Sequence, residues 1–248
     1  MFKTVNALVL REVRYKEADR ILTLLTDTDG KITVKARGAL RKSSKTAAAT
    51  QQLTYSEMTL FGNLGRWTVN EAVVKEGFDG LRADIGNFAL GCYFAECVDA
   101  LSVEDQPDAP LMQLALNCLY ALSRGMYTPE HIKAAFELRL MCLAGYTPEL
   151  SRCAVCGEEE PADPVLMLER GCVCCRRCAA GAGQPVKLDA ASLNAMRHIC
   201  SAAPKQILSF SLEGEGAKRL SAAAEEYLLL MHTERRFPTL DYWKNVKI

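Results

Sequence analysis

Ile21-Leu-Thr-Leu-Leu-Thr26-Asp27-Thr-Asp-Gly30-Lys31-Ile-Thr-Val-Lys-Ala36 reads as two short strands around one tight turn. Lys31 to Lys35 alternates polar and apolar residues, the period of a strand with one face buried. Asp27-Thr28-Asp29-Gly30 supplies the turn. Working outward, Lys3–Leu10 precedes this hairpin, while Leu53–Phe61 and Arg66–Val74 follow it, split by Gly62-Asn63-Leu64-Gly65. All are rich in Val, Ile, Leu and Thr, so five short strands occupy the first third of the chain. That density fits a small closed barrel.

The oligonucleotide-binding fold is the commonest five-stranded barrel of this size. After Asp79 the period changes. Ile85–Leu101 carries apolar residues mostly three and four apart, and Leu111–Ser123 follows beyond Pro107 and Pro110. Thr128-Pro129-Glu130 resembles an N-cap with a first-turn proline, opening a helix that ends near Gly145. Its apolar face is Ile132, Ala135, Phe136, Leu138, Leu140, Met141 and Leu143. Two more helices are expected, Ala190–Ser201 and Ala217–His232, separated by Pro204 and Gly214-Glu215-Gly216. Ala47–Ala49 and Ala179–Gly183 read as short loop tracts. The expected fold is α+β and multidomain, with a five-stranded OB-fold barrel over 1–79 and a helical domain in two parts, 80–150 and 183–248. A four-cysteine zinc ribbon-like module is inserted between them over 151–182.

The formal net charge is zero over 248 residues, but it is unevenly spread. Met1–Asp79 holds 13 Lys/Arg against 9 Asp/Glu, Gly80–Leu150 holds 4 against 9, and the remainder 13 against 12. A basic first third therefore points to an anionic partner at that end. The N-terminus lacks the uninterrupted apolar stretch of a signal peptide, and the run Leu111–Leu122 is too short to span a bilayer. A cytoplasmic protein is expected, whose 11 cysteines stay reduced and whose C-x-x-C pairs bind metal.

Zinc favours four thiolate or imidazole ligands in a tetrahedron, and two C-x-x-C turns each supply two of them. Cys153-Ala-Val-Cys156-Gly157 is one such turn, with glycine where the bend needs it. For the second pair, Cys172–Cys175 and Cys175–Cys178 both have the spacing, with 15 and 18 residues intervening after Cys156. A hairpin from Val165–Arg170 to Cys172–Cys174, turning at Gly171, would leave Cys175 and Cys178 just past the returning strand. Small Ala179 also suits the bend better than Arg176. The expected ligands are therefore Cys153, Cys156, Cys175 and Cys178, holding one structural Zn²⁺. His131, His198 and His232 lie outside the cluster and no H-E-x-x-H motif exists, which argues against a catalytic metal. Arg152, Arg176 and Arg177 would neutralise the thiolate shell or reach phosphates.

Lys31 to Ser56 contains six basic residues and no acidic one: Lys31, Lys35, Arg37, Arg41, Lys42 and Lys45. They surround Gly38, Ser43, Ser44 and Thr46, in a flexible, hydroxyl-rich loop after a strand. Such cations can follow a phosphate backbone without reading bases; the competing reading is a solvated loop that aids solubility. Tyr15, Tyr55, Phe61 and Trp67 are the aromatics available for stacking on bases. Glu17 and Asp19, near Arg14 and Arg20, read as a turn-stabilising charge set rather than a catalytic pair.

The stretch from Ala7 to Thr26, with Arg11, Arg14, Glu17, Asp19 and Arg20, then Gly30-Lys31 and Ala36-Arg37-Gly38-Ala39, closely resembles the start of bacterial RecO proteins. The likeness continues through Phe136-Glu-Leu-Arg139, Gly145-Tyr-Thr-Pro148 and both cysteine pairs; Cys172 stands where many relatives have glycine. The resemblance implies a recombination mediator that binds single- and double-stranded DNA and anneals complementary strands. It also implies partnership with RecR, often with RecF, and help in loading RecA onto DNA covered by the single-stranded DNA-binding protein. The DNA-facing residues would be Arg14, Lys31, Lys35, Arg37, Arg41, Lys42 and Lys45. Arg139, with Lys133, would meet the acidic C-terminal tail of the single-strand-binding protein; otherwise Arg139 pairs with Glu137 or Glu149. Residence in the bacterial cytoplasm, on the nucleoid, follows from the same likeness. No G-x-x-x-x-G-K-[ST] loop or G-x-S-x-G elbow is present, so neither ATP hydrolysis nor other enzymatic activity is expected. A zinc-dependent nuclease is the alternative.

Overall fold

A computed structural model describes residues 1–63, 65–180, 185–231 and 236–246. Its strands are β1 (Phe2–Tyr15), β2 (Asp19–Thr26), β3 (Gly30–Ala36), β4 (Tyr55–Asn63), β5 (Arg66–Glu76), β6 (Pro164–Met167), β7 (Cys172–Cys175) and β8 (Val186–Lys187). Its helices are α1 (Asp79–Arg82), α2 (Ile85–Leu101), α3 (Ala109–Ser123), α4 (Pro129–Leu143), α5 (Ala190–Ser201), α6 (Gly214–Met231) and α7 (Pro238–Val246). They form two compact units, Met1–Gly125 with Phe237–Ile248, and Met126–Arg236.

In the first unit, β1 to β5 close into a barrel of order β1-β2-β3-β5-β4, the strand order of an OB-fold. Every pairing is antiparallel except β3 with β5. Closure depends on β1, which pairs β4 through Phe2–Leu8 and β2 through Ala7–Tyr15, with a register shift between Val9 and Arg11 that bends it. The sequence pattern ends this strand at Leu10; it runs on to Tyr15 because Arg11–Tyr15 pairs with β2 beyond the core, where no apolar alternation is required. Val5, Ala7, Val9, Leu22, Leu24, Ile32, Val34, Met58 and Leu60 fill the interior. On β3, Ile32, Val34 and Ala36 point inward between Lys31, Thr33 and Lys35, as the alternation requires. Gly30 has φ +62°, and a Cβ there would lie 2.0 Å from the Gln106 carbonyl oxygen, so only glycine fits this turn.

The helices of this unit follow their caps. Asp84 accepts the Asn87 amide at 2.7 Å to open α2. Asp108 accepts the Leu111 amide at 2.9 Å, which starts α3 two residues before the sequence-predicted Leu111 and places Pro110 in the tolerant first turn. Helix α7, absent from the sequence reading, packs on α2. Phe237 meets Tyr93 edge-on at 5.8 Å, and Glu96 accepts both the amide and the hydroxyl of Thr239. Two buried positions, Leu240 and Trp243, in nine residues are too few to reveal a period.

In the second unit, α4 is buried almost all round, including Lys133 and Glu137. It packs against α5 and α6, while β6, β7 and β8 form a small sheet of order β7-β6-β8. Helix α5 coincides with its sequence prediction and opens on a capping box between Asp189 and Ser192. Helix α6 begins at Gly214 rather than Ala217. His232, the expected end of that helix, and Gly181–Gly183 of the expected loop tract lie outside the described residues, as does Leu64 of the expected β4–β5 turn.

Candidate nucleic-acid interface and metal centre

Residues 153 to 178 build a four-thiol cluster from two turns. Gly157, at φ +77°, returns the first turn, and its amide donates to the Cys153 carbonyl at 2.9 Å. Strand β6, a single 3-10 turn at Leu168–Arg170 and Gly171 at φ +57° lead into β7, which ends on Cys175. The expected hairpin therefore forms, with its turn at Gly171. A Cβ there would sit 2.8 Å from the Tyr227 hydroxyl. The sulfurs of Cys153, Cys156, Cys175 and Cys178 all lie within 4.8 Å of one another, and Cys156 and Cys175 are 3.8 Å apart. Zinc–sulfur bonds of about 2.3 Å give a tetrahedron with edges of about 3.8 Å, so the cage has the size of a thiolate-bound metal. Burial pushes the Cys153 thiol up, but the amides of Cys156, Cys175 and Val155 outweigh it and bring it to about 6. Hydrogen bonding to Cys156, then burial, pushes Cys178 up to about 12. The backbone amides thus favour the thiolate form of Cys153, which is the form that binds a metal cation. Cys172 and Cys174 are buried on β7 and stand outside the four.

The barrel carries a groove of about 820 Å³, lined among others by Tyr15, Lys35, Arg37, Phe61, Arg66 and Trp67, with no acidic side chain among the described residues of its wall. Tyr15 and Phe61 are 42% and 38% exposed; the Lys35 ammonium lies 4.9 Å over the Tyr15 ring, and Phe61 packs on Phe2 with ring centres 5.0 Å apart. Trp67 instead packs on the barrel core and lies across Gly62, with the Lys3 ammonium 3.8 Å over its ring. Tyr55 lies outside the groove wall. Asp19 organises one rim. Its carboxylate pairs with Lys35 at 2.8 Å and accepts the Gly38 amide at 2.8 Å. Both hold it below the usual carboxylate range, Lys35 most strongly.

The loop after β3 is a chain of turns rather than a loose segment. The Leu40 amide donates to the Ala18 carbonyl at 2.9 Å, and Arg20 donates to the Ala47 carbonyl at 2.9 Å and to Thr50 at 3.0 Å. Arg14, Arg37, Arg41, Lys42 and Lys45 are exposed and carry no ion pair among the described residues. Lys31 is committed elsewhere: it donates to the Asp99 carbonyl at 2.8 Å and pairs with its carboxylate at 3.3 Å, tying the barrel to α2.

The family described as recombination protein O, N-terminal, matches residues 1–78, and its C-terminal counterpart matches 82–241. The chain belongs to the RecO family. It is 30% identical to the DNA repair protein RecO of Acetivibrio thermocellus over 97% of this chain and 96% of that one. Against the Symbiobacterium thermophilum RecO the identity is 31% over 96% and 95%, and against that of Heliobacterium modesticaldum 35% over 89% and 82%.

Two expected RecO partner-binding residues sit differently from the sequence reading. Lys133 is 1% exposed, with its ammonium 2.7 Å from Glu137 and 2.8 Å from Glu225. It is enclosed because α4 is buried almost all round, so it presents no charge at a surface. Arg139 pairs with neither Glu137 nor Glu149; it donates to the Ile199 and Cys200 carbonyls at 3.2 and 2.7 Å, capping the C-terminus of α5. Glu149 instead accepts the amide and hydroxyl of Ser151. His131 and His198 contact the Leu208 and Gln206 carbonyls, away from the thiols. Arg66 is the groove residue that the sequence reading missed, since a lone arginine at the start of a strand carries no motif. No helix among the described residues is long and apolar enough to cross a membrane.

Proposed function

We propose that this RecO-family chain is a recombination mediator that binds single- and double-stranded DNA and anneals complementary strands. With RecR, and with RecF as a further partner, it would help load RecA onto DNA covered by the single-stranded DNA-binding protein. The observation that carries this reading is the groove of the OB-type barrel, open, walled by cations and aromatics, and continued by a pinned loop of exposed Arg37, Arg41, Lys42 and Lys45. Annealing needs charge neutralisation of two strands and no covalent step, so clustered Lys/Arg suffices and the protein acts as a mediator, not an enzyme. Arg14 and Arg66 extend the cationic track, Lys35 joins it through its exchange with Asp19, and Lys31 serves the barrel. Arg139 remains the proposed contact for the acidic tail of the single-strand-binding protein, through the donors that α5 does not use. The setting is the bacterial cytoplasm, at the nucleoid.

Cys153, Cys156, Cys175 and Cys178 would hold one zinc ion. When bound, the ion supplies folding free energy to the small sheet and its turns. The four thiols fill its coordination shell, so no reaction step is assigned to it. The test is annealing of complementary strands pre-coated with their binding protein, with and without RecR. Accelerated annealing, weakening steeply as salt rises, is expected; metal-stimulated strand cleavage or salt-independent binding would overturn the reading.

A further inference from the structure

The loop that carries Cys153 and Cys156 is held at its neck by one side chain from another element. Arg197 lies on α5, far from the cysteines in sequence. Its Nε donates to the Leu150 carbonyl at 2.8 Å and its Nη2 to the Ser151 carbonyl at 3.1 Å, both just before the turn. The same Nη2 donates to the Glu159 carbonyl at 2.7 Å, just after the turn. Nη1 reaches the Glu160 carboxylate at 2.9 Å and the Asn194 side-chain oxygen at 3.2 Å. A guanidinium has five N–H donors, and here each has one acceptor.

The remaining ties on this loop are few. The Cys153 amide donates to the Glu158 carbonyl at 2.7 Å, the Gly157 amide to the Cys153 carbonyl, and the Ala154 amide to the Val173 carbonyl at 3.0 Å. Cys156 is exposed and Val155 is 59% exposed, so the outer half of the turn gains little from packing. The Cys175 amide also donates to the Cys153 sulfur at 3.3 Å; what ties both flanks of the loop to α5 is the planar fork of Arg197. A lysine could reach one of these oxygens but could not span both flanks.

We propose that Arg197 is a positioning residue for the metal centre: by clamping both flanks of the Cys153–Cys156 turn to α5, it sets how tightly the chain retains its metal. This rests on the reading of the four thiols as a zinc site. Partners that orient metal ligands typically control roughly 10–100-fold of metal affinity. Metal leaves a four-thiolate site by stepwise loss of ligands, and a loosened neck lets Cys156 leave first.

The test loads the full chain with zinc and follows transfer of the ion to a chromogenic chelator, for wild type, Arg197→Lys, Arg197→Gln and Lys205→Gln. Both Arg197 variants should release zinc about 10–100-fold faster, while Lys205→Gln, an exposed cation of the same unit outside the thiol cluster, should keep the wild-type rate. Hydrogen exchange of the zinc-loaded Arg197→Lys protein should rise over 150–160 and stay unchanged in α4 and α6. A wild-type release rate in Arg197→Lys would mean that charge alone matters and would overturn the proposal. Global unfolding of that variant at saturating zinc, or faster exchange throughout the unit, would make Arg197 a general packing residue and overturn it equally. A wild-type chain that takes up no zinc would instead sink the underlying metal reading.

Discussion

The cations of the barrel loop and those of the helical unit are the same chemical groups in opposite circumstances. Arg37, Arg41, Lys42 and Lys45 stand in solvent without an ion pair among the described residues. Lys133 is enclosed between two carboxylates, and Arg197 has an acceptor for each of its donors. A solvated cation gains free energy from a phosphate by releasing counterions, whereas a saturated one must first give up a partner. The lesson is that regional charge does not locate a nucleic-acid surface; the neighbours of each cation do.

The strongest way to break this contrast is at Lys133. Replacement by Met should destabilise the protein by about 3–5 kcal/mol, because Glu137 stays buried without its ammonium partner. Chemical denaturation measures this, and Lys133→Met combined with Glu137→Leu should recover most of the loss. Burial pulls the Lys133 pKa down, but Glu137 and Glu225 outweigh it and hold it above 10.5. The contribution of the charge is therefore complete below 10.5 and disappears only as pH rises through the still higher folded value. A gap between wild type and variant that already narrows near neutrality would contradict the arrangement.

The second test moves to the loop. Changing Arg37, Arg41, Lys42 and Lys45 together to Gln should weaken single-strand binding and flatten its salt dependence by up to about 3 in log–log slope. Stability should shift by less than about 0.5 kcal/mol, as for other surface changes. An unchanged slope would return these residues to the role of a solubilising loop.

Much of this was legible in the sequence, and the reasons are local. Strand β3 is short, alternates cleanly and begins in a turn only glycine can make, so its pattern and its structure coincide. The cysteine cage was readable because spacing, Gly157, Gly171 and small Ala179 each restrict the backbone before any tertiary contact forms. What was not legible depends on partners distant in sequence. Lys31 and Lys42 look alike in a basic stretch, yet Asp99 claims one and nothing described claims the other. Lys133 lies on a helix whose apolar face suggested an exposed back, but α5 and α6 cover α4 on several sides. The clamp from Arg197 joins residues some forty positions apart, and α7 is fixed by Glu96, well over a hundred residues away.

The smallest effect is the most discriminating, and it lies where the two kinds of cation meet. Lys35 lines the groove but is paired with Asp19, so it is neither free like Arg41 nor enclosed like Lys133. In Asp19→Asn the side-chain oxygen can still accept the Gly38 amide, so the loop keeps its anchor while Lys35 loses its counter-charge. Affinity for single strands should then rise slightly and the salt slope steepen by at most about 0.7, one further phosphate contact. Because Lys35 and the Gly38 amide hold the Asp19 carboxyl below 3.8, it is charged at neutral pH. Its stabilising contribution is present above 3.8 and is lost as pH falls through the lower folded value. Wild type should therefore behave like Asp19→Asn only in strong acid, and differ from it everywhere above. Should the substitution weaken binding instead, the Asp19–Lys35 pair would be part of the binding surface rather than a restraint on it.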